Sequence, residues 1–384
     1  MKQLKAAVIG CGKVGHFHAL AYRNNPHSQL VACMGGQPEQ VKEFVAAHHI
    51  KAYSDLLTMV KETGVEVVSI CTPHPNHADI AVECCRMGLH IAIEKPLASS
   101  LEDCDAILQA AHEAGVVGTT ICQRRFYQPA QRVKRAIEDG KLGRPILGTV
   151  NMLGWRDMAY YHSDPWRGTW DGEGGGVLIN QAPHQLDLLL WYMGEIEELY
   201  GIWDTLNHPA LEVDDTAAAI IRFRSGAIGN IVVSNSQNPA LFGNVRVHGS
   251  NGASIGVQTD GGAMFIAGVS GIGEPPVNDL WTVHGEESML AAFRQEDRQF
   301  FNSVDGTHYF HEVQLDDFLQ AVIQGRPPLI SLEDGRRTVE LITGIYRSCR
   351  DRKPIRFPLL PEHGADYDGR LVPACRRGGT RCTQ

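Results

Sequence analysis

Three glycines, set between an apolar run and a helical stretch, constrain this chain more than any other feature. Gly10, Gly12 and Gly15 stand in G-x-G-x-x-G spacing within AAVIGCGKVGHFHALAYRNN. Such a motif is weak alone. Here it follows a strand-like run, opens a helix and begins a β–α–β unit, which is the context that gives it meaning. The first glycine permits a tight turn. The second lets a pyrophosphate approach the backbone, where the N–H groups at the helix start bind it. Lys13, Val14 and Gly15 complete the loop. The competing reading is a glycine-rich structural turn. An acid that accepts the 2′-hydroxyl of NAD belongs about 20 residues further on. There LVACMGGQPEQ offers Gly35 and Gly36, with neither a carboxylate nor an arginine clamp. The expected cofactor is NAD or NADP, with NAD preferred and no residue that decides it.

The same texture continues for about 120 residues. The runs AAVIG, LVACM, VEVVSIC, HIAIE and VVGTTIC alternate with helical patterns such as Pro38 to His48 and Asn76 to Met87. Continuous rather than alternating apolarity marks strands buried on both faces, and hence a parallel sheet covered by helices. After about Arg125 the texture changes. A helix from Gln128 to Glu138 leads to a strand in GRPILGTVNMLGWR. β-rich runs follow (EELYGIWDTL, AAAIIRFRSGAIGNIVVSNS, GNVRVHGSNGASIGVQ), with RSGA and GSNGA as tight turns joining neighbouring strands of a mostly antiparallel sheet. Late helices run from Tyr309 to Gly325 and from Leu332 to Cys349, separated by RPPL.

Length and charge narrow the class. The 384 residues exceed one ordinary core and suggest two domains. A net charge of −9, with both signs interspersed, argues against nucleic acid or an anionic surface as partner. No run of about 20 apolar residues is present to span a bilayer. The opening MKQLKAAVIGCGKVG has two lysines and an apolar run of about five residues that flows into the glycine motif, so a first strand is a better reading than a signal peptide. The ten cysteines are scattered without a CxxC pair, as buried small residues in a reducing compartment are. A cytoplasmic protein is expected.

Two stretches carry chemistry. In SICTPHPNHADIAVECCRMGLHIAIEKPLA, Thr72 and Pro73 end one strand and Glu94 and Lys95 end another. Ligands of open α/β sheets sit at such carboxyl ends. A lysine there is a point cation for an alcohol or carbonyl oxygen, and desolvation lowers its pKa. The alternative is a surface lysine paired to a neighbour. His74, Asn76 and His77 line the cofactor cleft or cap the next helix; HxxH without a third ligand does not make a metal site. The second stretch, GGGVLINQAPHQLDLLLWYMG, sets Asn180, His184 and Asp187 in an apolar run. If one helix runs through, the three share a face; Pro183 instead kinks or starts a helix. Asp187 is placed to orient the His184 imidazole, and the glycines allow another backbone or a cofactor to approach. A buried His–Asp pair in a packed helix is the competing account.

Together GCGKVGHFHA, TPHPNHADIA, EKPLA, QRRF, GRPILG, PWRGTW and GGGVLINQAPHQLD resemble the Gfo/Idh/MocA family of sugar and inositol oxidoreductases, to about Pro358. The resemblance implies a Rossmann domain over residues 1–123 and an α/β domain with a large, mostly antiparallel open sheet over residues 124–358. The second domain would bind substrate and form a homodimer or homotetramer through its sheet. Residues 359–384 are expected to be a weakly packed tail. By the same resemblance Lys95 and His184 are catalytic. Gln123, Trp166 and Arg167 lie near the cofactor, with Trp166 and Arg167 close to nicotinamide or substrate. Asn180 occupies a position that is usually aspartate, so it hydrogen-bonds substrate hydroxyls while His184 takes the proton. Trp155, Tyr161 and Asp164 are further candidates for the substrate pocket.

The expected activity is oxidation of a secondary ring hydroxyl of a sugar, glycoside or polyol such as inositol. An NAD-dependent glycosidase working through transient C3 oxidation is one rival, and a non-catalytic sugar or cofactor sensor is another. No metal is expected.

Overall fold

The computed structural model describes residues 3–241, 243–260 and 275–363. Its first half is a doubly wound sheet of β1 (Leu4–Ile9), β2 (Ser28–Met34), β3 (Lys51–Tyr53), β4 (Val67–Ile70), β5 (His90–Ile93) and β6 (Gly118–Thr120). The order is β3-β2-β1-β4-β5-β6, with every pair parallel. The connecting helices are α1 (Lys13–Asn24), α2 (Pro38–His48), α3 (Leu56–Thr63), α4 (His77–Arg86) and α5 (Leu101–Ala114). Their limits follow local chemistry. Asp55 caps α3 through Thr58 N, Ser100 caps α5 through Asp103 N, and Gly64 and Gly115 end these helices in the left-handed conformation. Strand order reverses between β1 and β4. Ile9 pairs with Ile70, and Ile70 with Ile93, so three loops leave the sheet side by side. Such a switch point is where open α/β sheets bind ligands.

The second half begins with α6 (Gln128–Glu138) and β7 (Pro145–Leu153). Four helices follow: α7 (Met158–His162), α8 (Trp170–Glu173), α9 (Val177–Asn180) and α10 (Pro183–Met193). Next come β8 (Ile196–Asp204), β9 (Thr216–Phe223), β10 (Ile228–Ser234), β11 (Gly243–Gly249), β12 (Ser254–Asp260) and β13 (Val277–Trp281). The chain closes with α11 (Met289–Ser303), α12 (Tyr309–Gln324), α13 (Leu332–Asp351) and the short β14 (Ile355–Arg356). The eight strands run β13-β12-β11-β7-β10-β9-β8-β14, antiparallel except for β7 beside β10. The turns expected at RSGA and GSNGA join β9 to β10 and β11 to β12.

One face of this sheet packs Val150, Ile221 and Ile231 against Leu186 and Leu189 of α10 and Ile345 of α13. The other face carries Tyr200, Ile202, Ile220 and Ile228 exposed. The closing helices return to the first sheet. Leu315, Phe318 and Leu319 of α12 join the core of β1 and α1, while Leu332, Val339 and Leu359 join that of α5. A parallel sheet of continuously apolar strands needs cover on both faces, and these helices supply part of it, so residues 124–358 do not all pack with the second sheet. Past Pro358 the chain keeps packing: Leu359 is buried and Glu362 pairs with Arg350. Residues 364–384, most of the expected tail, lie outside the described residues. Among the described residues, no helix is long and apolar enough to cross a membrane.

Candidate functional site

The glycine turn is built for close approach on two sides and is open on the third. A Cβ on Gly10, whose φ is +107°, would lie 2.5 Å from Cys71 O, and one on Gly15 would lie 2.1 Å from Gly10 O. At Gly12 a Cβ would meet nothing within 4 Å. Gly12 is also the N-cap of α1 and brings no side-chain cap, so the first N–H groups keep their capacity for an anion. Exposed Lys13 and half-buried Val14 start the helix. Gly35 accepts from Cys11 N at 3.3 Å, which sets the Gly35–Gly36 turn against the loop. This open, uncapped cradle fits a dinucleotide pyrophosphate.

Beyond β4, Thr72 and Pro73 lead into a 3-10 turn over His74–Asn76, with exposed Asn76 as N-cap of α4. His74 is buried, with Nδ1 2.9 Å from Glu173 O and its ring edge-on to Trp166. Burial, then Lys95 and His77, hold its pKa down at about 3. His77 opens α4 and turns its ring towards the backbone. Its Nδ1 and Nε2 sit 3.0 and 2.9 Å from Pro96 O and Thr72 O. Both nitrogens face carbonyl oxygens beyond the strand ends, and the one that carries the proton donates. Buried Gln123 lies in the 3-10 turn Gln123–Phe126, and its Oε1 has no partner among the described residues.

Lys95 reaches from the end of β5 to the second half of the molecule. Its Nζ donates to Asn180 O at 2.8 Å and lies 3.5 Å from Asn180 Oδ1. Burial lowers its pKa; Glu94 opposes this, and Arg124 and Arg167 add to it. The other end of the Asn180 amide, Nδ2, donates to Glu173 Oε1 and, at 3.2 Å, to Tyr160 OH. Tyr160 OH also receives Gln181 Nε2 at 3.0 Å and an Arg167 N–H. Arg167 lies over the rings of Tyr160 and Trp166, each 4.3 Å to centroid, and bonds Asp164 at 3.1 Å. Lys95, Asn180, Trp166, Arg167 and Asp164 are thus linked through one set of contacts. Glu173 and Tyr160 are additions that spacing did not suggest.

Across residues 174–194 the chain forms two helices, so Pro183 starts a helix rather than standing inside one. α9 ends at Asn180 and Pro183 opens α10, as proline does at a first helical position. His184 sits in the first turn of α10, 6% exposed, with Nδ1 unpartnered among the described residues. Burial, then Arg124, Lys95 and His311, drive its pKa well below the ordinary histidine value. The expected support from Asp187 is not made. Asp187 Oδ2 and Oδ1 accept Arg125 Nε and NH2 at 2.8 and 2.6 Å, and the guanidinium lies 3.3 Å from Asp334. A fork matched to a carboxylate outcompetes an imidazole one helical turn away. The glycines serve backbone packing: a Cβ on Gly176 would lie 1.9 Å from Asp214 O, while the Asp214 carboxylate accepts Gly176 N and Leu178 N and so caps α9.

Glu94 joins a second cluster. Its Oε1 lies 3.0 Å from His18 Nε2 and 3.7 Å from His311 Nε2, and Oε2 accepts Lys95 N. Burial would raise this carboxyl, yet the His18 hydrogen bond, His311 and Lys95 bring it to about 2. Tyr161 and Trp155 stand further out. Tyr161 is buried, takes Asn235 Nδ2 at 3.2 Å and packs on His208, and half-buried Trp155 bridges to Ser236.

A dinucleotide cradle at a switch point, with Lys95 and buried His184 beyond it, fits a nicotinamide-dependent oxidoreductase. Two family models match. The oxidoreductase family with an NAD-binding Rossmann fold covers residues 4–121, and the GFO/IDH/MocA C-terminal domain covers residues 130–255. Together they span more than half of the chain, and the chain belongs to the Gfo/Idh/MocA family. It is 26% identical over 367 residues to myo-inositol 2-dehydrogenase of Thermotoga maritima, covering 92% of this chain and 98% of that one. It is also 26% identical to the scyllo-inositol 2-dehydrogenase (NAD+) of Bacillus subtilis, covering 92% and 96%. Among solved structures, the WlbA dehydrogenase of Bordetella pertussis, in complex with NADH and UDP-GlcNAcA, superposes with a TM-score of 0.82 at 29% identity over 93% of this chain and 99% of that one. The protein is an NAD-dependent oxidoreductase.

Proposed function

We propose that the protein oxidises a secondary ring hydroxyl of a sugar, glycoside or inositol, with His184 as base and Lys95 assisting. The observation that carries this reading is the state of His184: buried, free at Nδ1 among the described residues, and held neutral beside a cationic lysine. A neutral imidazole accepts the hydroxyl proton as the C=O bond forms, and Lys95 Nζ stabilises the negative charge growing on oxygen. Bound NAD, held by the Gly10–Gly15 turn, supplies the acceptor for the hydride that leaves the carbinol carbon. Asn180, an amide with Nδ2 committed to Glu173, takes no proton and presents Oδ1 towards Lys95 and a substrate hydroxyl. Arg167 lies over Trp166 and bonds the Tyr160 hydroxyl that Asn180 also meets, and the relatives named as inositol dehydrogenases support a ring alcohol.

His184→Ala should lower kcat by about 10²–10⁴-fold with NADH binding retained. The assay is NAD reduction over inositols, aldoses and glycosides, and unchanged turnover in that variant would refute the assignment. Aglycone release without net NADH would instead favour the glycosidase reading, and silence over the whole panel the sensor. The exposed Tyr200, Ile202, Ile220 and Ile228 on the open sheet face support a homodimer or homotetramer built through it. Ile220→Asp should then reduce the mass seen by light scattering, and an unaltered mass counts against that interface.

A further inference from the structure

The site has a carboxylate that neither sequence spacing nor the mechanism above uses. Glu173 ends α8 and is 1% exposed. Its Oε2 accepts Gly168 N at 2.6 Å, and its Oε1 accepts Asn180 Nδ2. An ionised carboxylate only accepts hydrogen bonds, so it fixes which end of an amide it meets. With Nδ2 turned to Glu173 and Tyr160, Oδ1 must face Lys95 Nζ. The result is a chain of carboxylate, amide and ammonium that ends where the substrate hydroxyl is handled. From this geometry, and resting on the reading of Lys95 and Asn180 as active-site groups, we infer that Glu173 is a positioning residue. It acts through Asn180 and supplies, one residue removed, the negative charge that an asparagine at position 180 lacks.

The chain works in one protonation state. A protonated Glu173 is a donor, and the Asn180 amide then turns Oδ1 towards it and presents N–H groups to Lys95. The groups that face Glu173 are the Arg167 cation, the Asp214 carboxylate, the Lys95 ammonium, the phenols of Tyr160 and Tyr161, and His74 on its backbone oxygen. Burial dominates and pushes the Glu173 carboxyl up to about 7. His184 is depressed well below its ordinary value, so an acid limb near neutrality in kcat/KM reports Glu173 rather than His184.

Three full-length variants test this: Glu173→Gln, Asn180→Asp and the double change. Glu173→Gln should lose about 10–100-fold in kcat through misplacement of Asn180 and Lys95, with KM for NAD unchanged and the acid limb gone. Asn180→Asp puts two carboxylates in contact and should move the limb to higher pH. The double variant restores one amide facing one carboxylate and should recover most of the kcat, which a merely structural role would not produce. A readout without substrate is the pH dependence of Lys95 acetylation by acetic anhydride, followed by peptide mass mapping. Glu173→Gln removes an anion near Lys95 and should make it acylate at lower pH. If His184→Ala abolishes turnover while Glu173→Gln leaves the limb and Lys95 reactivity unaltered, this inference fails and the proposed function stands. If wild-type protein turns over no polyol, the acetylation profile still decides it. Should Glu173→Gln not fold, an unmoved limb and unchanged Lys95 acetylation in Asn180→Asp overturn the inference.

Discussion

Replacing Asp187 by asparagine separates a structural role from a catalytic one. The carboxylate and Arg125 are 1% and 4% exposed and joined by two hydrogen bonds of 2.8 and 2.6 Å. Burial pushes the Asp187 carboxyl up, and the two guanidinium bonds are what hold it charged. Removing one member of a buried pair costs about 3–5 kcal/mol, because the other charge is left desolvated. Asp334, 3.3 Å from Arg125, retains part of the compensation, and the Arg125 guanidinium keeps its place over the Trp191 ring. Asp187→Asn should therefore sit near the low end, at about 3 kcal/mol. For a domain of ordinary size that is a fall in Tm of ~6–12 °C. The assay is scanning calorimetry beside steady-state kinetics below the transition, where kcat should stay within about 3-fold of wild type if Asp187 does not act on His184. A Tm within about 2 °C of wild type together with a kcat reduced by orders of magnitude would rule out a purely structural Asp187. That result would return Asp187 to the imidazole.

Two other sets of changes probe separate parts of the molecule. Gly12→Ala places its Cβ in open space, so stability should change by no more than about 1 kcal/mol while the NADH Kd, read by fluorescence, rises at least ~10-fold. Gly15→Ala drives a Cβ to 2.1 Å from Gly10 O and should lower Tm as well as binding; equal behaviour of the two variants would disprove the cradle. For Glu173 the folded pKa is raised to about 7 from 4.5. Its neutral form therefore stabilises the fold fully below pH 4.5, and that contribution is lost as pH rises through 7. Relative to Glu173→Gln, wild type should lose about 3 kcal/mol across that window and no more above it. Urea titrations at both ends would reveal a flat difference if the carboxyl were ordinary.

What was legible in the sequence is what local rules decide. Strand runs, the glycine turn and α2 from Pro38 to His48 follow from patterning and capping within a dozen residues. Lys95 was legible because a strand end at a switch point is a place as much as a residue. Partner choice was not. His184 and Asp187 stand one turn apart, as an orienting pair would, but Arg125 lies 62 residues before Asp187 and claims it. His18 meets Glu94 across 76 residues. Glu173 stood in plain view beside three glycines. The clue was the asparagine at position 180, which left a carboxylate to be found elsewhere.

The three displaced titrations combine into one expectation about direction. Burial, reinforced by Arg124 and Lys95, holds the His184 pKa well below its ordinary value. Burial keeps Glu173 protonated until about 7 and also lowers Lys95. Groups whose environments push their pKa values apart divide the acid and base roles between them. In the mechanism we propose, the base is ready below neutrality but the Glu173–Asn180–Lys95 chain is not. Above neutrality both are ready until Lys95 itself loses its proton. Alcohol oxidation should therefore rise with pH through neutrality on a single ionisation and fall again at a pH below the ordinary lysine range. In a Lys95→Arg variant the guanidinium does not titrate, so the alkaline fall should disappear while the acid limb stays. A fall that persists there at the same pH assigns it to another group and removes Lys95 from the reaction.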